Sequence, residues 1–219
     1  MKHKILDILT KQVKSNDVIE RPYVIAEAGV NHNGSAEMAF KLIDAALEAG
    51  TDAVKFQSFK AENLVTKSAD KAKYQKETTN NVETHYEMLK KLELPYDLHY
   101  ELIAYCQKYE IDFLSTPFDD NAIEYLNPLV PFFKIASADI TNIPALTIAF
   151  KSCKQVYHCA AIIDFDPKKY ELLKKVNTQA TANIVNLALA HGIKKLCYVS
   201  SIATLGTTED ESSITEETH

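Results

Sequence analysis

Short apolar runs of strand length alternate along the chain with longer segments in which apolar residues recur at helical spacing. The short runs predict six strands, at residues 23–28, 53–57, 112–116, 132–137, 155–160 and 196–200. The longer segments predict helices at residues 36–49, 97–109, 119–126, 144–152 and 168–191. Strands that are apolar on both faces and are separated by helices indicate a parallel sheet with right-handed crossovers. The pattern predicts an α/β fold of (β/α) repeats, as a barrel or as an open doubly wound sheet.

Two further patterns refine these elements. Ser35 stands where a helix N-cap is expected and Gly50 where a helix ends, which sharpens the bounds of the first helix. The stretch from residue 58 to residue 94 is polar and irregular. A connection of that length is more often functional than idle, so we expect it to lie near a site.

Composition narrows the classes of function. The formal net charge is -6, which provides no general attraction to nucleic acid or to an anionic membrane. No apolar run reaches the roughly 18 residues of a membrane span, and the polar N-terminus does not resemble a secretory signal. The four cysteines form no CxxC pair. We expect a cytoplasmic protein with reduced thiols and with neither nucleic acid nor membrane as a partner.

The glycines exclude one way of binding phosphate. The chain has only five glycines, and they form neither GxGxxG nor GxxxxGK[ST]. Glycine-rich loops that cradle nucleotide phosphates depend on those spacings. A phosphate on this protein is therefore expected to be held by side chains.

Polar side chains stand at the carboxyl ends of the predicted strands, where parallel α/β folds carry their active sites. They are Glu27, Lys55, Gln57, Ser115, Thr116, Lys134 and Ser137. A lysine within an apolar strand is costly to bury unless it is paired. Lys55 and Lys134 facing one pocket would suit a small anion of two or three charges. The alternative is that each lysine reaches solvent or pairs with a nearby carboxylate.

Four segments that contain these polar residues resemble the sialic acid synthase family, which includes the legionaminate and pseudaminate synthases. They are IAEAGVNHNG, DAVKFQSF, FLSTPFD and FKIASADITNIP, and they stand in family order from about Tyr23 to Leu146. The resemblance implies a (β/α)8 barrel, followed in the family by a small antifreeze-like domain. It also implies a condensation of phosphoenolpyruvate with an N-acyl hexosamine that uses a divalent metal, manganese or magnesium.

The resemblance also implies residue roles. Lys55, Thr116, Lys134 and Ser137 would hold the phosphate and carboxylate of phosphoenolpyruvate. Gln57 would face the sugar, and Glu27 would be the catalytic candidate for proton transfer. His32, within the first motif, is interpreted as a turn residue or a residue behind the site rather than as a metal ligand.

The segments after Leu146 resemble a different family. KQVYHCAA and KVNTQATANIVNLALAHGIKKLCYVSSIATLG are similar to the middle of an extended short-chain dehydrogenase/reductase, from about residue 147 to residue 210. Ser201 would match the serine of that family, and the long helix carries Asn177 as the family helix does. The missing glycine loop argues against NAD(P) binding.

The two resemblances together predict a chimera with its join between about Asp139 and Ala149. The predicted regions are an N-terminal extension at 1–22, a synthase-like half-barrel at 23–146 and a reductase-like fragment at 147–219. The fold would be a partial TIM-type barrel continued, in the same sheet, by Rossmann-like strand–helix–strand units.

Metal ligands are not apparent in this sequence. No two histidines stand in register at strand ends, and His158, inside the fifth predicted strand, is interpreted as a buried, hydrogen-bonded residue. The first hypothesis is a nonulosonic acid synthase that is incomplete or inactive as this chain. The alternatives are a non-catalytic α/β chimera and an NAD(P)-dependent epimerase or reductase fragment. Six strands are fewer than the eight of a closed barrel, so a homodimer that covers the sheet edges is also expected.

Overall fold

A computed structural model of the protein describes residues 21–71 and 83–201, together with residues 5, 6 and 8. The chain divides into two compact units, Met1–Ala136 and Ser137–His219. This division falls before the predicted boundary at residues 146–147, which stays a prediction. The predicted N-terminal extension lies almost wholly outside the described residues, as does the chain beyond Ser201.

The first unit contains a parallel sheet and five described helices. Its strands are β1 (Ile25–Gly29), β2 (Ala53–Ser58) and β3 (Asp112–Pro117). Its helices are α1 (Ala36–Glu48), α2 (Ala61–Leu64), α3 (His85–Lys91), α4 (Tyr96–Lys108) and α5 (Asp120–Leu126). The strand order is β1-β2-β3, and both pairings are parallel. The prediction of parallel strands separated by helices is confirmed for this unit.

The two faces of this sheet differ in character. One face packs against the apolar stripes of α1 and α4. Its core includes Val54, Phe56, Phe113, Ile43 and Leu102. Because successive side chains along a strand point to opposite faces, Glu27, Lys55 and Thr116 lie on the other face. Burial of the apolar face holds the sheet in register and so fixes where the polar side chains stand.

The ends of the helices follow the local chemistry that the sequence predicts. Ser35 caps α1, with its Oγ accepting a hydrogen bond from the backbone N–H of Met38 at 3.2 Å. Gly50 follows α1 with φ of 68°, a left-handed value that glycine adopts at low cost. Asp119 caps α5 in the same way, through the N–H of Ala122 at 2.9 Å. These predicted bounds are confirmed to within about two residues.

The second unit contains a two-stranded parallel sheet and several helical segments. Its strands are β4 (Gln155–His158) and β5 (Lys195–Tyr198). Its α-helices are α6 (Ile143–Ser152), α7 (Tyr170–Leu173) and α8 (Ala180–Ala190). Segments of 3-10 helix span Ser137–Thr141 and Pro167–Lys169, and a π-helical segment, Lys174–Gln179, joins α7 to α8. The helix predicted at residues 168–191 is therefore a succession of three helix types.

Two predictions about strands are wrong. Residues 132–137 form no strand in the described part of the chain, and a 3-10 helix begins at Ser137. A strand needs a neighbour for its backbone hydrogen bonds as well as an apolar sequence, and no described strand pairs with this run. The single predicted sheet is also replaced, because the five described strands form two separate sheets. No described helix has both the length and the apolar character needed to cross a membrane.

Candidate functional site

Three adjacent strands bring Glu27, Lys55 and Thr116 together at the carboxyl edge of the first sheet. Glu27 of β1 pairs in register with Lys55 of β2, and Thr116 of β3 lies two residues beyond Leu114, the partner of Lys55 on that strand. The Nζ of Lys55 donates a hydrogen bond to the carboxylate of Glu27. The same Nζ lies 3.5 Å from the Oγ1 of Thr116. The three side chains therefore form one polar cluster, with the ammonium group between a carboxylate and a hydroxyl.

The members of this cluster differ in their access to solvent. The Lys55 side chain is 11% exposed, whereas that of Glu27 is 55% exposed. Lys55 is thus a largely buried cation whose counter-ion is reachable from outside. An incoming anion could replace the carboxylate as the partner of Lys55 without entering the core. A carboxylate released in this way would stand beside the ligand and could move a proton there.

Gln57 joins this cluster through an irregularity of β1. The register of β1 against β2 shifts between Glu27 and Gly29, so that two residues of β1 stand against one of β2. Gly29 has φ of 57°, a conformation that suits glycine. A Cβ at Gly29 would lie 3.5 Å from both the Nε2 of Gln57 and the Oε1 of Glu27. The bulge therefore brings the amide and the carboxylate to the same side of Gly29.

Three further predicted site residues lie outside the described strands. Lys134 is exposed and lies outside any described strand. Ser137 is exposed in the 3-10 helix that begins the second unit, and Ser201 is exposed at the end of the described chain. The convergence of Lys55 with Glu27 is observed, whereas a second lysine beside them stays a prediction. The pairing of Lys55 with Glu27 is also the arrangement that the alternative interpretation predicted, a lysine paired with a nearby carboxylate.

A buried polar network behind the sheet was not found from the sequence. The Oγ of Ser58, at the end of β2, lies 2.7 Å from the Nε2 of His99 on α4 and 2.7 Å from the Oγ of Ser115 on β3. The Nδ1 of His99 lies 3.0 Å from the backbone oxygen of Pro95. Burial lowers the pKa of His99 to about 4, although the bond to Pro95 opposes this shift. A histidine inside the apolar stripe of α4 is the sequence feature that could have indicated this network.

The histidines considered for a metal site have other contacts. His32 is fully buried in the turn after β1, where its Nδ1 accepts a hydrogen bond from the N–H of Gly34 at 3.0 Å. His158 is buried, and its Nε2 lies 2.9 Å from the Oγ1 of Thr181, which confirms the buried, hydrogen-bonded interpretation. Within residues 21–71 and 83–201, no three His, Cys, Asp or Glu side chains are grouped closely enough to hold a metal ion. These residues therefore do not fit a divalent-metal site.

Two proteins to which this chain is similar are named as N,N'-diacetyllegionaminic acid synthases. It is 48% identical over 139 residues to the N,N'-diacetyllegionaminic acid synthase of Campylobacter jejuni, a match that covers 63% of this chain and 42% of that protein. It is 50% identical over 125 residues to the Legionella pneumophila synthase of the same name, which covers 57% of this chain and 35% of that protein. The chain thus spans less than half of the length of these relatives.

Solved structures and a family model extend this similarity. The structure is similar to that of the N-acetylneuraminic acid (sialic acid) synthetase of Leptospira borgpetersenii, with a TM-score of 0.55 and 25% identity over 82% of this chain and 54% of that one. The model of the NeuB family matches residues 42–191, across the predicted join at residues 146–147. Similarity to the synthases therefore continues further along the chain than the sequence motifs indicated. Because this match covers most of the 219 residues, the chain belongs to the NeuB family.

Proposed function

We propose that this chain carries the phosphoenolpyruvate-binding part of a nonulosonic acid synthase, an enzyme that condenses phosphoenolpyruvate with an N-acyl hexosamine. The observation that supports this function is the placement of the Lys55 ammonium group between Glu27 and Thr116. The relatives named as legionaminic and sialic acid synthases support the class of reaction. The second substrate of the proposed reaction is an N-acyl hexosamine.

Binding would exchange one partner of Lys55 for another. In the structure the ammonium group is paired with the carboxylate of Glu27. The phosphate or carboxylate of phosphoenolpyruvate would take that position and would accept a further hydrogen bond from the hydroxyl of Thr116. A fixed cation and a fixed donor hold the ligand without reorganisation at the moment of reaction. Gln57 would then face the sugar, beside the carboxylate of Glu27.

Lys134 and Ser137 complete this proposal as further ligands of phosphoenolpyruvate. Both are exposed and so are available to a bound anion. The metal that the family resemblance implies has no fitting group of ligands in the described residues. The lack of turnover by this chain stays a prediction. An assay of phosphate release from phosphoenolpyruvate, with an N-acyl hexosamine and manganese, checks it.

Titration with phosphoenolpyruvate, followed through backbone amide resonances, tests the proposed function. We expect saturable shifts at Glu27, Lys55 and Thr116 at millimolar ligand or below. Pyruvate, which lacks the phosphate, should give weaker binding and serves as the control ligand. A wild-type protein whose strand-end amides do not respond to millimolar phosphoenolpyruvate would contradict the proposal.

The wider fold and assembly are also proposals. The polar face of the first sheet, opposite the helices, is what the interior of a (β/α) barrel would present at its catalytic end. We infer that the sheet is part of such a barrel and that a second copy of the chain covers its edges. Light scattering tests the homodimer, and a monomer at high micromolar concentration would contradict it.

A second proposal is that residues 147–210 are a reductase-like fragment. A strand, a helical segment and a parallel strand, as in β4 to β5, are compatible with that ancestry and equally with a synthase. A change in nicotinamide fluorescence on mixing with NAD(P)H would distinguish an NAD(P)-binding protein from one that shares only its ancestry with reductases. Unchanged fluorescence would argue against an NAD(P) site and would leave the non-catalytic chimera as the alternative to the synthase.

A further inference from the structure

A chain of buried side chains joins the ends of β2 and β3 on the face of the sheet that packs against α4. We propose that Ser58, Ser115 and His99 are positioning residues, which hold in place Thr116, the proposed donor to the anion, and Gln57, the residue proposed to face the sugar. This proposal rests on the proposed function for its ligand. Its geometric part can be tested without any ligand.

The direction of every hydrogen bond in this network follows from one carbonyl group. The backbone oxygen of Pro95 can only accept, so the Nδ1 of His99 must carry a proton and donate it. In the neutral imidazole the Nε2 is then an acceptor, and the hydroxyl of Ser58 donates to it. The one proton of Ser58 is used in that bond, so Ser115 donates to Ser58. A single arrangement therefore links α4, β2 and β3.

The network lies one residue away from the candidate site on both strands. Ser58 follows Gln57, and Ser115 precedes Thr116. Gln57 and Thr116 are themselves partners in the β2–β3 ladder. Because side chains alternate between faces, a bond that fixes Ser58 against Ser115 also fixes the backbone from which Gln57 and Thr116 project.

The network lies at the last pair of the β2–β3 ladder, where Ser58 pairs with Pro117 and the backbone oxygen of Ser58 accepts a hydrogen bond from the N–H of Phe118 at 3.1 Å. Ser58, His99 and Ser115 are fully buried, so water does not compete for their hydrogen bonds. Removal of the Ser58 hydroxyl would leave the Nε2 of His99 without its donor and Ser115 without its acceptor, and both groups would be buried.

The first experiment uses the ligand-free protein. It follows the methyl resonance of Thr116 and the side-chain amide resonances of Gln57 in Ser58→Ala. Thr51→Val is the matched control, because its hydroxyl donates to the oxygen of Ala46 at 3.0 Å at the other end of β2. We expect Ser58→Ala to move or broaden the Thr116 and Gln57 resonances, and Thr51→Val to leave them in place at a similar loss of melting temperature. Equal spectra for the two variants would overturn the proposal.

The second experiment measures the dissociation constant of phosphoenolpyruvate for the same variants. We expect roughly a tenfold increase for Ser58→Ala and a smaller one for Ser115→Ala, which keeps the bond from Ser58 to His99. Ser115→Ala also serves if Ser58→Ala does not fold. Unchanged affinity in folded variants would assign the network to stability alone. If the wild-type protein does not bind phosphoenolpyruvate, the proposed function fails, whereas the ligand-free spectra still decide the positioning role.

Discussion

The two ends of the first sheet both contain buried charged groups, but these groups have different surroundings. At the amino end, the carboxylate of Asp52 accepts hydrogen bonds from Arg21 and from the N–H of Val24, the latter at 2.9 Å. The carboxylate of Asp112 accepts a hydrogen bond from the hydroxyl of Tyr23 at 2.6 Å. Burial and the bond to Asp112 raise the pKa of Tyr23. These hydrogen bonds hold the segment before β1 against the beginnings of β2 and β3.

At the carboxyl end, the buried group is a cation and its counter-ion is accessible. Glu27 is more than half exposed, whereas the side chains of Asp52 and Asp112 are buried. A carboxylate with several fixed donors and no access to solvent has a structural role. A buried ammonium group whose carboxylate partner can be displaced has the properties of a binding site. The two ends of the sheet therefore differ in the solvent exposure of their carboxylates, although both contain buried charged groups.

The largest effect on ligand binding is expected from Lys55→Met. Loss of the buried cation should weaken phosphoenolpyruvate binding by a hundredfold to a thousandfold, about 3–4 kcal/mol, as when one partner of a buried charge pair is removed. Glu27 remains hydrated, so the stability should change little. Binding is measured by the amide titration, and Lys41→Met, at an exposed ion pair with Glu37, is the control. Retained affinity in Lys55→Met would remove the distinction between the two ends.

Acid should destabilise the protein because His99, which is bonded to Ser58 at the carboxyl end of β2, is buried. Burial lowers its folded-state pKa from the ordinary value of 6.5 to about 4, and the nearby His32 and Lys60 lower it further. The unfolded chain binds the proton first, so this contribution is complete above pH 6.5 and is lost as the pH falls toward 4. The loss should be about 3 kcal/mol. Urea unfolding from pH 7 to pH 4 measures it, and an equally steep pH dependence in His99→Gln would contradict it.

Asp52→Ala tests the amino end. It leaves the N–H of Val24 without its acceptor and removes the partner of Arg21, which should cost about 2 kcal/mol of unfolding free energy. Affinity for phosphoenolpyruvate should be unchanged, because the strand ends that bind it are not altered. Urea unfolding and the amide titration give the two values. A large loss of affinity with no loss of stability would reverse the proposed roles of the two ends.

The smallest effect is expected at the bulge of β1. Gly29→Ala places a Cβ in a left-handed conformation, at about 1 kcal/mol, and in contact with Glu27 and Gln57. Gly50→Ala is a matched control, since Gly50 has a similar φ of 68° but a Cβ there would meet nothing within 4 Å. Both variants should lose similar stability. Only Gly29→Ala should weaken phosphoenolpyruvate binding, by a few-fold, and equal affinities would show that the bulge does not affect the site.

Much of the first unit was predictable from local patterns. Apolar runs located β1, β2 and β3, and the residues Ser35 and Gly50 located the ends of α1, because capping and left-handed turns depend on neighbouring residues alone. The motifs around Glu27, Lys55 and Thr116 indicated both the family and the strand ends that meet. The structure agrees with these predictions because short-range chemistry and tertiary packing favour the same conformation in this unit.

Other features depended on contacts that no local pattern records. Residues 132–137 have a strand-like sequence, yet they have no described strand to pair with. Ser58, the partner of His99, and Ser115, the partner of Ser58, are distant from His99 in sequence, and the three meet only when the sheet packs on α4. The division of the chain at Ala136 and Ser137 likewise follows from contacts and not from composition.

The sequence by itself determined the class of fold, the strand ends that carry polar groups and the resemblance to the synthases. It did so because hydrophobic period and short motifs are properties of consecutive residues. Only the tertiary structure decided that Lys55 is paired with Glu27, that Lys134 stands outside the sheet and that a buried histidine lies behind the site. Those outcomes depend on which strands become neighbours and on which face is buried, and both are set by packing across the whole unit.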